Sequence, residues 1–481
     1  MSEPRQRERV TIIGAGPVGS LLALLLARRG IDVEVFERRP DLRREQVGAG
    51  RSINLAVSTR GLHALHQVGL DAEVLQAAVP MPGRMLHALD GATSFHRYGQ
   101  GEREFINSMS RSGINALLLT AAEQAARLPG AGQVKLHFRN RLVGCDLAAG
   151  IIRLRDEATG AERTDVAKVL IGTDGSASAV RAAMEVDGST TTQEVLDAGY
   201  KEVALPRAPG TGRGADGRFH LEPHALHIWP RGRFMLIALP NQAGDFTYTL
   251  FLPFTAPPGE PSFGRLETPE QCGAFFHAQF PDAAALIPDV GRAFREAPLG
   301  QMATVRTSPW SLGGALLLGD AAHAIVPFFG QGMNAGLEDC TLLDEQLGAA
   351  LAKTPPGRGL DWTSLFAKFG QHRKPDTDAI AELALENFIE MRDRVADRGF
   401  QLQRAVEAEL QRRLPGRYLT RYQLVTFSRR PYRIALEAGK IQAELLGEVC
   451  EGSTRIEQVD LGRAQALAEE RLLPLLEAHP G

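Results

Sequence analysis

The stretch Val10-Thr11-Ile12-Ile13-Gly14-Ala15-Gly16-Pro17-Val18-Gly19 decides the fold. Val10 to Ile13 reads as a buried strand, Pro17 to Gly30 as a helix and Val33 to Phe36 as a second strand, so one βαβ unit is expected. The glycines fit GxGxxG. Gly14 permits the tight turn, Gly16 lets the backbone approach a pyrophosphate, Gly19 allows close helix packing, and the helix N-terminus attracts the anion. Glu37 closes the second strand and would accept hydrogen bonds from an adenosine ribose. An acid there argues against a 2′-phosphate, so FAD or NAD is expected and not NADP; the adjacent Arg38 and Arg39 run against that reading. A glycine turn without a ligand is the plain alternative, but strand, turn, helix, strand and acid in order favour a nucleotide.

Around this unit lie 481 residues with 54 Lys plus Arg against 57 Asp plus Glu. That near-balance argues against a dedicated nucleic-acid or anionic-membrane binder. With 44% hydrophobic and 23% charged residues, a globular protein with room for two substructures is expected. Cys145, Cys272, Cys340 and Cys450 lie far apart and form neither a CxxC pair nor a disulfide framework, which predicts a reducing, cytoplasmic setting. Met1 to Arg9 is charged and does not read as a signal peptide, and the longest apolar run, Leu21 to Ala27, is far short of the ~20 residues a bilayer span takes. No membrane partner is expected.

Further along, Leu62–Val68 and Ile114–Leu128 carry helical spacing, and Val134–Phe138 reads as a strand. Val166–Ile171 reads as another strand, running into Gly172-Thr173-Asp174-Gly175. From Tyr200 to about Phe254 the runs His227–Trp229, Arg233–Leu239 and Phe246–Leu252 predict a separate antiparallel sheet. Ala315–Leu318 returns to a buried strand ending in Gly319-Asp320, and from Leu337 the chain reads as helical. Two patterns are set aside. Gly210-Thr211-Gly212-Arg213-Gly214 has no strand before it and no helix after it, and reads as a loop. His220, His224 and His227 suggest a metal, but Pro223 breaks the helix their spacing needs, and a strand would scatter them, so no metal is expected.

Leu316 to Ala324, followed by Pro327 to Gly336, is a strand ending in an acid, a glycine-rich loop and a new helix. Asp320 at the strand's carboxyl end would hold ribityl hydroxyls, and a helix opening near Gly332 aims its positive end at a flavin edge. With the GxGxxG, Asp174-Gly175 and Gly319-Asp320 motifs together, the chain resembles the FAD-dependent aromatic hydroxylases that use one nucleotide fold. More narrowly it is similar to the kynurenine-hydroxylating branch of that family. Gly50–Ala56, Leu226–Arg231, Phe234–Asn241, Gly319–Asn334, Glu386–Arg392 and Val425–Ser428 carry that likeness, which runs from about residue 10 to 435. It departs in lacking the C-terminal membrane anchor of the eukaryotic members, so a soluble bacterial-type form is expected.

The resemblance implies an α/β chain with a Rossmann-like FAD-binding domain over residues 1–75, 100–180 and 300–350. It implies an inserted antiparallel substrate sheet over 76–99 and 181–299, and a helical region over 351–481 that closes the site. It implies FAD as cofactor with NADPH and O₂ as co-substrates, and hydroxylation of L-kynurenine to 3-hydroxy-L-kynurenine through a flavin C4a-hydroperoxide, a step of tryptophan degradation or NAD biosynthesis. A monomer or homodimer is expected. The substrate's amine already feeds electrons into the ring, so no catalytic acid or base is required of the protein, and Phe329 beside the flavin loop could not supply one. Arg84 matches the carboxylate-binding arginine, Tyr98 its hydroxyl partner, and Asn387 and Tyr422 other polar contacts; Glu390, one turn after Asn387, would orient the amino groups or Arg84. Ile106, Leu226, Ile237, Leu239, Thr249, Phe251, Pro327 and Phe328 are candidates for the apolar pocket. Toward the FAD, the matching positions are Arg111, Val18, Ala56, Leu142, Thr173, Asp174, Asp320, Gln331, Gly332, Met333 and Asn334. Without the motif match these side chains would read as ordinary surface and core. Two other readings stay open: a related hydroxylase for another aromatic amino acid or acid, and a non-catalytic FAD-binding protein.

Overall fold

The computed structural model describes residues 8–45, 54–99, 101, 104–214, 217–355, 357–390 and 398–481. Gly50–Ile53 and Met391-Arg392, which carry part of the family likeness, lie outside the described residues. Strand Arg9–Ile13 buries every residue after Arg9 and pairs in parallel with Asp32–Glu37 on one side and Leu170–Gly172 on the other. Ala315–Leu317 and Val134–Phe138 extend the sheet in parallel, and Ser311–Leu312 adds an antiparallel edge, making six strands. A sheet covered on both faces calls for unbroken apolar strands, which is what these segments are. Helix Pro17–Arg28 is apolar almost all round because it is wedged between the sheet and the helices Arg111–Ala125 and Gly332–Lys353.

The expected strand Val166–Ile171 is two. Glu162–Val166 ends an outer three-stranded sheet with Ile151–Asp156 and Asn140–Asp146, and the chain enters the buried sheet only at Leu170. The apolar run hid this break because Ala167 and Val169 are buried at the crossing, while Val166 is 54% exposed. The helix expected to open near Gly332 runs Gly332–Lys353.

The second large sheet has seven strands, in the order Gly300–Ser308, Thr190–Leu205, Phe246–Pro253, Phe234–Pro240, Leu226–Arg231, Gly83–His87 and Thr93–Arg97. It starts ten residues before the expected Tyr200, and it is not wholly antiparallel. Leu226–Arg231 runs parallel to Gly83–His87, with Leu226 opposite Arg84. The register separates two faces. Trp229, Leu236, Leu250 and Lys201 form one cross-strand row; Trp229, Leu236 and Leu250 belong to the core built on helices Pro269–Gln279 and Val290–Glu296, and Lys201 Nζ donates to the carbonyls of Phe294 and Arg295. Ile228, Ile237, Thr249 and Glu202 form the next row, on the opposite face. That face is met by a small sheet of Asn54–Val57, Ile106–Ser110 and Val79–Met81 and by the helical C-terminal part. The latter, from Trp362–Ile389 onward, has its own core around Leu402, Val406, Tyr418, Leu424 and Tyr432. Among the described residues no helix is long and apolar enough to cross a membrane.

Candidate active site

At the first strand-to-helix turn the three glycines do three different things. A Cβ on Gly14, whose φ is +102°, would meet the Thr173 carbonyl oxygen at 2.5 Å, and one on Gly19 would meet the Gly14 carbonyl oxygen at 2.0 Å. On Gly16 a Cβ would meet nothing within 4 Å. Two glycines therefore close the turn, and the middle one opens onto space at the N-terminus of a helix that has no side-chain cap. A pyrophosphate fits such a cradle, because the amides of the first turn and the helix dipole both favour an anion. Thr173 pins the turn by donating its hydroxyl to the carbonyls of Ile13 and Gly14 at 3.0 and 2.8 Å. Glu37 is buried and accepts from Ala15 N–H at 2.9 Å and from the backbone and Nε of Arg39 at 3.0 and 2.9 Å. Burial opposes its charge, but Arg39 and these hydrogen bonds prevail and hold its carboxyl below the ordinary value. The guanidinium of Arg39 is thus folded onto Glu37, while Arg38 is exposed. Asp174 turns Oδ2 back to the amides of Ala179 and Val180, and burial raises its pKa. Val18, half-buried, packs within 3.1 Å of where a Cβ of Gly319 would sit; Leu142 is in the core of the six-stranded sheet.

The second turn, Gly319-Asp320, leaves strand Ala315–Leu317 with Gly319 at φ +58°, ψ −143°, a conformation that calls for glycine. A Cβ built on Gly332 would reach Asp320 Oδ1 at 4.0 Å, so the strand-end acid faces the start of helix Gly332–Lys353. The side chains of Gln331 and Asn334 turn into the protein. Gln331 accepts from Tyr432 Oη at 3.0 Å and donates to Ser58; Asn334 accepts from Ser58 N–H and donates to the carbonyls of Ala56 and Gly330. Their polar groups hold the loop's shape, with Met333 half-buried beside them. Arg111 is exposed at the first position of its helix, which Ser110 caps.

The remaining candidates line one apolar region. Met81, Tyr98, Ile106 and Leu239 pack with Ala56, Leu226, Ile237, Tyr422 and Phe427. Next to them Met235 and Phe251 pack with Ile237, Phe328 and Phe388. The Tyr98 and Tyr422 rings stack at 4.9 Å and 12°. Burial raises both phenols, Tyr98 well above its ordinary value and Tyr422 up to about 12, while the charge of Arg84 works on both in the other direction. The buried Tyr98 hydroxyl has no well-aligned hydrogen-bond partner, although the Tyr422 hydroxyl is near enough to affect its proton affinity. Arg84 is half-buried, and among the described residues no carboxylate lies within ion-pair reach of it. Asn387 donates to the Phe328 carbonyl at 2.7 Å, and Thr249 is buried on the sheet face. Pro327 is exposed at the rim. Glu390 pairs with Arg404 and Arg421, not with Arg84.

Sequence reasoning missed Glu202. It stands beside Thr249 on the same sheet face, faces Arg111, and burial pushes its carboxyl up to about 7. One acid in an alternating strand reads as surface; only the register shows which face it takes. Of the three histidines, His227 Nδ1 lies 2.9 Å from His87 Nε2, while His224 Nδ1 lies 3.1 Å from the Pro80 carbonyl oxygen.

Known proteins are similar to this chain in sequence and in fold. The model of the family described as FAD binding domain matches residues 7–364. The chain is 51% identical over 481 residues to the kynurenine 3-monooxygenase of Myxococcus xanthus (strain DK1622), covering 100% of this chain and 98% of that one. It is 45% identical over 478 residues to the enzyme of the same name from Xanthomonas axonopodis pv. citri (strain 306), covering 99% and 100%. Solved structures share the fold: 2-methyl-3-hydroxypyridine-5-carboxylic acid oxygenase has TM-score 0.62 at 19% identity over 82% of this chain and 95% of that one. The p-nitrophenol 4-monooxygenase of Pseudomonas putida DLL-E4 has TM-score 0.61 at 18% identity over 92% and 98%. By family model and by full-length identity, the chain belongs to the kynurenine 3-monooxygenases, within the FAD-binding-domain flavoproteins.

Proposed function

We propose that this chain hydroxylates L-kynurenine on the ring carbon beside its amine, consuming NADPH and O₂. The observation that carries the reading is Arg84: a half-buried guanidinium with no carboxylate partner among the described residues, close enough to the buried Tyr98 and the half-buried Tyr422 of an apolar cluster for its charge to act on both. A charge held that way is matched by a ligand carboxylate, which a guanidinium grips bidentately. The Tyr98 hydroxyl, buried without an aligned protein partner, supports the reading as a second donor to the same group. Asn387 shapes the opposite side by holding the Phe328 backbone. Ile106, Leu226, Ile237, Leu239, Phe251 and Phe328 shed water from the ring.

FAD, when bound, supplies the redox and oxygen-transfer chemistry. The chain's part is to hold it: the open backbone at Gly16 and the first-turn amides of Val18 and Gly19 for the pyrophosphate, Glu37 for the ribose, and Asp320 with the helix opening at Gly332 for the ribityl chain and the ring edge. Arg111 adds positive charge. The aniline nitrogen activates its own ring, so these residues bind, orient and exclude water, and none has to move a substrate proton.

The test is turnover by the FAD-loaded protein. L-Kynurenine is expected to accelerate NADPH oxidation manyfold while a product one oxygen atom heavier appears. Acceleration by anthranilate or by phenols, with none by L-kynurenine, refutes the substrate and leaves a related aromatic hydroxylase.

A further inference from the structure

Behind the Gly319-Asp320 turn lies a row of buried charges that neither cofactor binding nor substrate binding uses. Asp339, on helix Gly332–Lys353, is wholly buried. Its Oδ2 accepts from the Gly319 amide at 3.0 Å and from His323 Nε2 at 2.6 Å, and its Oδ1 accepts from Arg373 Nε at 2.7 Å. His323 is stacked on Trp310 with ring centroids 5.0 Å apart, so its ring has little freedom. Arg373, on helix Trp362–Ile389, also donates to the Ala335 carbonyl at 3.1 Å and sits 2.9 Å from Glu338 Oε2 as an ion pair without hydrogen-bond alignment. Glu338 Oε1 takes Arg60, whose guanidinium lies 3.8 Å over the Tyr432 ring. The Tyr432 hydroxyl ends the row on Gln331, at the start of the Gly332 helix.

Two carboxylates and two guanidiniums balance this row in charge, and Arg373 takes only Oδ1 of Asp339. The other oxygen is given to the Gly319 amide and to His323, at the turn that carries Asp320. Gly319 has a backbone conformation that calls for glycine, its amide is given to Asp339, and a side chain added there would press on Val18 of the glycine loop. The direction in which Asp320 leaves the strand is therefore set by what the Gly319 amide is bonded to. We propose that Asp339 is a positioning residue for the flavin: held by Arg373, it fixes the Gly319 amide and the His323 ring, and through them the placement of Asp320. This rests on the reading that the Gly319-Asp320 turn holds the FAD.

The test uses the full chain, with FAD affinity from quenching of flavin fluorescence, the visible band shape and midpoint potential of the bound flavin, and melting of the FAD-free protein. Asp339→Asn is expected to weaken FAD roughly tenfold to a hundredfold, as loss of a charge-assisted contact does, with altered flavin band and potential and the KM for L-kynurenine unchanged. His323→Asn is expected to do the same to a smaller extent, and it decides the matter if Asp339→Asn does not fold. Folded variants with native FAD affinity and flavin spectrum overturn the proposal, as does a change in melting alone. Asp320→Asn separates the two layers. If it weakens FAD while Asp339→Asn does not, only the positioning role falls; if Asp320→Asn leaves FAD affinity untouched, the assignment of the turn to the flavin falls and the positioning role with it.

Discussion

Arg84 sits on a strand whose parallel neighbour comes only at Leu226, and its charge is felt by two phenols rather than by a carboxylate. Removing it strips the proposed ligand anchor and nothing of the cofactor cradle. Arg84→Ala is expected to raise the KM for L-kynurenine about a hundredfold, the usual scale of a desolvated charge-assisted pair, while FAD stays bound. Loss of flavin instead would assign Arg84 to the cofactor. At this scale the cofactor turn was legible in bare sequence, because Gly14, Gly16 and Gly19 are demanded by backbone geometry that leaves a spacing behind. The ligand residues were legible only by likeness, since an arginine in a short apolar run carries no spacing of its own. Glu202 was not legible at all, its face being decided by strands paired far away in sequence.

Among the elements, the end of helix Trp362–Ile389 is tied by charge to the two later helices Arg398–Arg413 and Arg421–Thr426. Arg421 pairs with Glu386 at 2.9 Å and with Glu390, and Arg404 pairs with both Glu390 and Glu407. Arg421 immediately precedes Tyr422, so this cluster sets the distance between the helix bearing Asn387 and the tyrosine stacked on Tyr98. Arg421→Ala is expected to raise the KM for L-kynurenine several-fold, as partly buried ion pairs worth about 1 kcal/mol do, with FAD affinity unchanged. An unchanged KM would show that the helix end holds its place without the cluster. Element existence read well from apolar alternation, but partners did not. Periodicity tells which side of a strand is buried, not whether the chain has changed sheets, which is why Val166–Ile171 looked like one strand and why only likeness, not spacing, put Gly83–His87 with the distant sheet.

For the molecule as a whole, two buried groups pull stability in opposite directions over one pH window. Burial pushes His227 down to about 4, so its contribution is complete above pH 6.5 and lost as pH falls toward 4. Glu202, pushed up to about 7 from an ordinary value of 4.5, contributes fully below pH 4.5 and loses that as pH rises toward 7. The first is worth about 3 kcal/mol and the second about half that, since water reaches the carboxyl. Urea midpoints measured from pH 4 to 7 should therefore climb modestly with pH in the wild type, since the His227 contribution is the larger. Glu202→Gln is expected to make them climb more steeply, and His227→Asn to make them fall; parallel profiles would remove both assignments. The sheet order has a consequence for how the chain matures. Gly83–His87 emerges from the ribosome long before Leu226–Arg231, its parallel neighbour, and Leu170–Gly172 waits likewise for Ala315–Leu317. Both sheets are closed by contacts of long sequence separation, which are slow to form. A nascent chain stalled before residue 226 carries an unpaired edge at Arg84, so the strand of the proposed ligand anchor stays open to chaperones and to misassembly on that edge during synthesis.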